Sequence, residues 1–392
     1  MSTYQAAHLE TGEAVIRTAI LLNPHHKPAG HGGQDVDPSV EVFHTQLPHY
    51  GSTTLHSLPS IAQELGFAHV FLKDESTRYG LSSFKILGAS WAIHRALCQR
   101  LQLPQATTLE DVKHALSADK AAHVRLVTCT EGNWGRAVAR MAEYYAIPAT
   151  IYVPGFMNEY TRSLIRGEGA DLRVLEDGSY DDTIAAVQHD AAKNPEALMV
   201  MDTSWPGYTE IPGWVTEGYS TLMSEVDRQI LSQTDGETFP VLAVASVGVG
   251  SWAHSVVSHY HRPSSAGASS KIVTVEPTAA ASFKESLHCG AITPIATGYT
   301  IMNGMNCGTT STIAWPVLRD GVYAAVTVND QESHECVQEL QARNVNAGPC
   351  GAATLAALPK VCNEEMIGED ERKGMCVVLF STEGRREYDV PT

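Results

Sequence analysis

Short apolar runs alternate with longer amphipathic stretches along most of this chain. HVFLK (69–73), VRLVTCT (124–130), ATIYVP (149–154), LRVLE (172–176), VLAVAS (241–246), KIVTVE (271–276) and MCVVLFST (375–382) are short, largely apolar and rich in β-branched side chains, which predicts strands. The stretches FKILGASWAIHRALCQRL (84–101), GRAVARMAEYYA (135–146), TRSLIRGEGA (161–170) and SWAHSVVSHY (251–260) predict helices. A strand that is apolar on both alternations is buried on both faces, as in a parallel sheet covered by helices on its two sides. The predicted class is α/β, doubly wound. Ligands of such sheets bind beyond the carboxyl ends of the strands, so candidate chemistry is sought there.

Length changes the picture first. At 392 residues the chain exceeds the size at which one core usually stops growing, so two domains are expected. The formal net charge of −17 disfavours nucleic acid or an anionic membrane surface as partner, since both need a basic patch. No run of 18 apolar residues predicts a transmembrane helix. The N-terminus lacks a basic segment followed by an apolar one, so no secretory signal is read. Eight cysteines without a CxxC pair fit reduced thiols in a cytoplasmic protein, with Cys129, Cys307 and Cys376 as core packers. The first 50 residues, rich in His, Pro and Gly, read as an arm on the surface. His25, His26 and His31 lack metal-ligand spacing and are read as a solvated loop, with no metal expected.

Four strand ends carry candidate chemistry. In KDESTRYGLSSFK (73–85), Lys85 opens a helix. The plain alternative is a surface lysine, but a cation is disfavoured at a helix N-terminus. A lysine that is neutral, or held as an imine, suits the position and acts as nucleophile and base. In TEGNWGR (130–136), Gly132 and Gly135 admit close backbone approach, Asn133 can donate to an oxygen, and Glu131 is either a base or a helix cap, with capping favoured by spacing. In SVGVGSWA (246–253), a glycine turn at a helix start presents N–H groups to an anion. Gly248, Gly250 and Ala253, with Glu276 ending the next strand, also match a dinucleotide fingerprint, which is weak alone. In LFSTEGR (379–385), Ser381 and Thr382 offer hydroxyls to a heterocycle nitrogen, or are simply a turn.

Together these segments resemble the fold-type-II pyridoxal 5'-phosphate (PLP) enzymes, the group of the tryptophan synthase β-subunit and threonine dehydratase. Within that group the chain is most similar to the diaminopropionate ammonia-lyases. KDESTRYGLSSFKILG (73–88), TEGNWGR and DTSWPGYTEIPGWVTEGYSTL (202–222) carry the likeness, joined by the GVGS loop, TIMNGMNCG (300–308) and STEG. Order and spacing hold from about residue 50 to 385.

The resemblance implies roles. Lys85 is the residue that carries PLP as a Schiff base. Asn133 contacts the ring hydroxyl oxygen, and Gly248, Val249, Gly250 and Ser251 bind the phosphate. Ser381 partners the pyridine nitrogen, with Thr382 as fallback. Glu131 stands where the ammonia-lyases have a catalytic aspartate, and Asp202 matches an acid near the substrate. It implies a cytoplasmic enzyme of amino-acid metabolism, a homodimer. A large PLP-binding domain would comprise 1–87 plus 201–392, and a smaller mobile domain 88–200. The reaction implied is α,β-elimination of ammonia from a small amino acid, 2,3-diaminopropionate foremost, giving pyruvate and ammonia.

Several positions depart from the family pattern. Glu131 is one methylene longer than aspartate, Trp134 replaces a histidine, Asn303 replaces a small residue, and 346–353 lacks a glutamate. A proton acceptor displaced by about 1 Å can cost on the order of a hundredfold in rate. β-Replacement on another β-substituted amino acid is therefore the alternative. Two readings of other classes stand beside it: a nicotinamide-dependent dehydrogenase built on Gly248, Gly250 and Glu276, and a non-catalytic PLP-binding protein.

Overall fold

The computed structural model describes residues 2–27, 37–118, 123–178, 180–262, 270–363 and 366–391. In chain order its strands are β1 (Thr3–Ala7), β2 (Ala14–Thr18), β3 (Ile20–Leu22), β4 (Thr54–Ser57), β5 (His69–Asp74), β6 (Arg125–Cys129), β7 (Ala149–Pro154), β8 (Asp171–Leu175), β9 (Ala197–Met199), β10 (Val241–Ser246), β11 (Lys271–Pro277), β12 (Ala324–Val328) and β13 (Cys376–Ser381). Two compact units result. The first joins Met1–Val36, Ser52–Arg78 and Leu222–Thr392; the second joins Asp37–Gly51 and Tyr79–Thr221. The chain passes between these units at 36/37, 51/52, 78/79 and 221/222.

The first unit is built on a seven-stranded sheet of order β3-β12-β11-β10-β13-β5-β4. Its central strands β12 to β5 are parallel, and only the edge strands β3 and β4 run antiparallel. β13 explains why its sequence is apolar throughout. Val377 and Leu379 point into a core shared with the helix Pro349–Asn363. Phe380, one residue on, faces the other way and meets Trp252 of the helix Ser251–Tyr260, with ring centroids 5.0 Å apart. Side chains alternate across a strand, so both faces are covered. This is the doubly wound α/β class that the pattern predicts.

Strand β5 leads into a buried ion network. Lys73 and Arg78 both donate to Glu225, at 2.8 and 2.7 Å, and Arg78 also donates to Glu75 at 2.8 Å. All four side chains are fully buried. Two cations balance two carboxylates at the point where the chain leaves this unit, after Arg78.

The expected surface arm is only partly that. β1 and β2 form a hairpin whose inward residues Tyr4 and Ala6 pack on Ala281, and β3 adds to the sheet edge on β12. Burial alternates in TYQAA, with Tyr4 and Ala6 inward, but AVIRT leaves the apolar Ile16 exposed, so its polarity gives no strand signal. His25 and His26 are held rather than solvated. His25 Nε2 lies 3.1 Å from the Leu287 carbonyl, and His26 packs edge-on against Tyr323. His31 lies outside the described residues.

The second unit has a four-stranded parallel sheet of order β8-β7-β6-β9. Val127 and Cys129 face a cluster with Val187 and Ile184 of the helix Tyr180–Lys193. The other face takes the helix Asn133–Tyr145, where a Cβ on Gly135 would lie 3.0 Å from Ile151. The helix predicted from residue 161 starts earlier, at Glu159, because Asn158 caps it by accepting from the Thr161 N–H at 2.8 Å. Among the described residues, no helix is long and apolar enough to cross a membrane.

Candidate active site

In the second unit, the approach to Lys85 is conformationally costly. Tyr79, Gly80 and Ser82 have φ of 50°, 72° and 58°. Left-handed backbone at a tyrosine and a serine is uncommon, and such strain gathers at functional sites. Lys85 then begins the helix Lys85–Arg100. Its Nζ donates to Asp202 Oδ2 at 2.6 Å, and the two side chains are 17% and 8% exposed. The same Nζ lies 5.4 Å from the Phe84 ring centroid and 6.0 Å from that of Trp134.

Asp202 follows β9 in a loop braced by stacked Trp205 and Tyr208 rings, 4.6 Å apart. The Tyr208 hydroxyl accepts from the Met201 N–H at 3.0 Å and donates to the Met199 carbonyl at 2.9 Å. Those bonds fix the backbone on either side of Val200 and hold Asp202 beside the lysine. The long 202–222 sequence match therefore has a mechanical basis as well as a chemical one.

Glu131 and Asn133 occupy the turn that joins β6 to the helix Asn133–Tyr145. The N-cap residue of the helix is Gly132, at φ 153°, next to Glu131. The capping work falls to Thr130, whose hydroxyl accepts from the N–H groups of Gly132 and Gly135 at 2.8 and 3.0 Å. Gly135 is obligatory here, since a Cβ would lie 2.4 Å from Thr130 Cγ2. Trp134 is buried, and its indole N–H donates to Thr128 Oγ1 at 2.9 Å. The sequence marks Trp134 as unusual but not the hydroxyl that fixes it, since a threonine inside a strand gives no such signal.

In the first unit, β10 ends at Ser246 and runs through Gly248, Val249 and Gly250 into the helix Ser251–Tyr260. A Cβ on Gly248 would lie 2.8 Å from the Gly304 carbonyl oxygen, and Gly250 has φ of 100°. Both positions therefore require glycine. The turn leaves the N–H groups at the helix start available to an anion. β13 pairs in parallel with β10, Val244 opposite Leu379, so Ser246 and Ser381 end neighbouring strands two residues further on. Ser381 is fully buried, and Thr382 beside it is 4% exposed. Gly351 opens the space for Ser381, whose Oγ would stand 2.5 Å from a Cβ there. Beside the glycine turn, the Thr310 hydroxyl is buried and has no hydrogen-bond partner.

These donors suit a phosphorylated heterocycle: an anion cradle, a buried hydroxyl at the next strand end and an unsatisfied hydroxyl nearby. They do not suit a dinucleotide. Glu276, the expected ribose acid, accepts from the Phe283 and Lys284 N–H groups, each at 2.8 Å, and is 1% exposed. It caps the helix Ser282–Cys289, and burial pushes its carboxyl up to about 7. The nicotinamide reading loses its acid on this geometry. Of the expected core cysteines, Cys129 and Cys376 are buried, but Cys307 is half-buried, its sulfur 3.2 Å from where a Cβ on Gly248 would be.

Known proteins give an independent view. Residues 46–381 match the family described as pyridoxal-phosphate dependent enzyme. The diaminopropionate ammonia-lyase of Salmonella typhimurium is 33% identical over 306 residues, 76% of this chain and 73% of that one. That of Escherichia coli K12 is 32% identical over 354 residues, 87% of this chain and 86% of that one. The crystal structure of the E. coli enzyme in complex with D-serine superposes with a TM-score of 0.81 at 27% identity, covering 98% of this chain and 95% of that one.

Proposed function

Because this chain belongs to the pyridoxal-phosphate dependent enzymes, we propose that it is a carbon–nitrogen lyase acting on 2,3-diaminopropionate, the compound named in its relatives. The products are pyruvate and ammonia. PLP, when bound, supplies an electron sink for the pair left on the substrate α-carbon as its proton departs.

The chain's own residues do the rest. In the second unit, Lys85 would hold the cofactor, and its Nζ as a free amine would take the α-proton from one face. Asp202 accepts a hydrogen bond from Nζ and orients it, and its negative charge favours the ammonium that forms when Lys85 has taken the proton. The Glu131 carboxylate serves the opposite face, and Asn133 binds the ring hydroxyl oxygen. In the first unit, the N–H groups of Gly248, Val249, Gly250 and Ser251 would hold the phosphate. Ser381 would partner the ring nitrogen, with Thr382 as its substitute. A neutral hydroxyl there does not favour ring protonation, which suits fast departure of a β-substituent.

The observation that carries this reading is the 2.6 Å pair of Lys85 and Asp202 at the head of a helix. A cation at that position is disfavoured by the helix dipole, so a carboxylate partner marks it as a working group. A cytoplasmic homodimer belongs to the same proposal, in keeping with eight cysteines free of disulfides. So does a functional division into a large PLP-binding part, 1–87 plus 201–392, and a smaller mobile part, 88–200.

The test is incubation with each enantiomer of diaminopropionate, following pyruvate and ammonia. Lys85→Ala should abolish borohydride-stable attachment of PLP and lower turnover by more than about a thousandfold. Glu131→Gln should slow one enantiomer more than the other. Substituted amino acid appearing only with an added nucleophile, and no keto acid, would move the chain to β-replacement.

A further inference from the structure

Residues 246–253 and 303–313 form two walls of one cradle in the first unit, and neither segment contains a lysine or arginine. The Ser311 N–H donates to the Val249 carbonyl at 2.8 Å, tying the second segment to the glycine turn. A Cβ on Gly250 would lie 3.1 to 3.7 Å from Leu318, Ala314 and Thr310, so this wall closes directly on the turn. A second helix, Ala314–Gly321, starts there. The segment between is Thr309-Thr310-Ser311-Thr312, four hydroxyl residues in a row. Thr310 and Ser311 are each 1% exposed.

Thr310 is the informative one. Its Oγ1 is buried without a partner, and its methyl Cγ2 lies 3.7 Å from where a Cβ on Gly250 would be, which puts the hydroxyl beside the glycine turn. A buried hydroxyl that makes no hydrogen bond is destabilising, and valine would fill the same shape without that cost. A hydroxyl kept at such a place needs a partner that arrives with a ligand. Neither wall carries a Lys or Arg, so on these two sides a dianionic phosphate is met by N–H and O–H donors.

We propose that Thr310 donates a hydrogen bond to the cofactor phosphate, so that the hydroxyl run 309–312 is a second wall of the phosphate site, beside the glycine turn. The inference rests on the reading of Gly248–Ser251 as the phosphate turn. Thr310 is a binding residue and takes no part in proton transfer.

The experiment titrates the full-length chain, stripped of cofactor, with PLP and with pyridoxal, which lacks the phosphate. Binding is read from absorbance, and the melting temperature of each cofactor-free protein is recorded. Thr310→Val should weaken PLP binding about tenfold or more and leave pyridoxal binding within about twofold. Its cofactor-free melting temperature should equal or exceed that of the parent, since an unsatisfied group has gone. Thr310→Ser should keep PLP binding within about threefold. The ³¹P resonance of bound PLP should move in the valine variant and not in the serine variant. Unchanged PLP affinity in Thr310→Val overturns the proposal, as does an equal loss for PLP and pyridoxal. If the parent itself does not prefer PLP to pyridoxal, the phosphate turn is misread and both fall together.

Discussion

Trp134 is the residue at which this chain departs most in character from the pattern it resembles. Where that pattern has a histidine, a neutral indole is pinned by Thr128 at 2.9 Å with its ring centroid 6.0 Å from Lys85 Nζ. An aromatic face near an ammonium is worth roughly 0.5–2 kcal/mol, more when water is excluded. The indole does not titrate, so it stabilises the charged lysine without adding an ionisation of its own. Trp134→His should therefore introduce a new limb in the pH profile of kcat/KM, centred about pH 6.5. Trp134→Phe should keep the shape of the parent profile and lose only a few-fold in rate. A histidine variant with an unchanged profile would put this ring outside the reacting region. Sequence exposed the substitution but not its contacts, because the Thr128 anchor and the lysine meet Trp134 only once β6 and two helices are packed.

At the scale of elements, an ion pair straps the second unit's sheet to a covering helix. Arg125 of β6 makes a two-pronged contact with Asp190 of the helix Tyr180–Lys193, at 3.0 and 2.7 Å. The Tyr152 hydroxyl of β7 and the Asn194 amide add bonds of 3.0 and 2.6 Å. Hydrogen bonding from Arg125, against the opposing effect of burial, holds the Asp190 carboxyl down at about 2 rather than the ordinary 3.8. The folded state therefore binds this proton later than the unfolded state does. Stability from the strap is complete above about pH 4 and is lost as pH falls through about 2, roughly 2 kcal/mol in all. Denaturant titrations of the parent and Asp190→Asn should differ by about that amount at pH 7 and converge near pH 2. A constant gap across this range would mean that the charge contributes nothing. The strands β6 and β7 are legible as apolar runs, but the helix Tyr180–Lys193 is not among those the pattern predicts, and the strap joins residues 65 apart in sequence, which no local pattern announces.

Across the whole molecule, legibility followed the kind of interaction. Continuous apolar strands were readable because burial on two faces leaves no polar alternation, and glycine turns were readable because only glycine fits them. The KDESTR segment was readable as a motif, yet most of its charge works elsewhere: Lys73, Glu75 and Arg78 close a buried network with Glu225. Least readable was the N-terminal hairpin, whose hold on the first unit depends on the distant helix Ser282–Cys289. Arg17 donates to both oxygens of Glu285 at 2.8 and 2.7 Å, and His8 Nε2 lies 2.7 Å from the same carboxylate. Lys284 bonds the Thr18 carbonyl and lies 3.3 Å from the Tyr4 hydroxyl. His8, Glu285 and Cys289 also bring potential metal-ligand atoms within 4.8 Å of one another. The guanidinium already neutralises the carboxylate, however, and would repel a dication, so the group is better understood as a clasp. Burial raises the Glu285 carboxyl, but the bonds from Arg17 and His8 and the charge of Arg17 outweigh it and hold the group at about 2. Glu285→Gln leaves Arg17 without its counter-charge and should cost roughly 1–2 kcal/mol. It should also make the first 18 residues the earliest site of limited proteolysis, while EDTA and added zinc leave the parent's melting temperature unchanged. A melting temperature that rises with zinc, or an arm no more protease-sensitive in the glutamine variant, would show that the hairpin is held by something other than this charge.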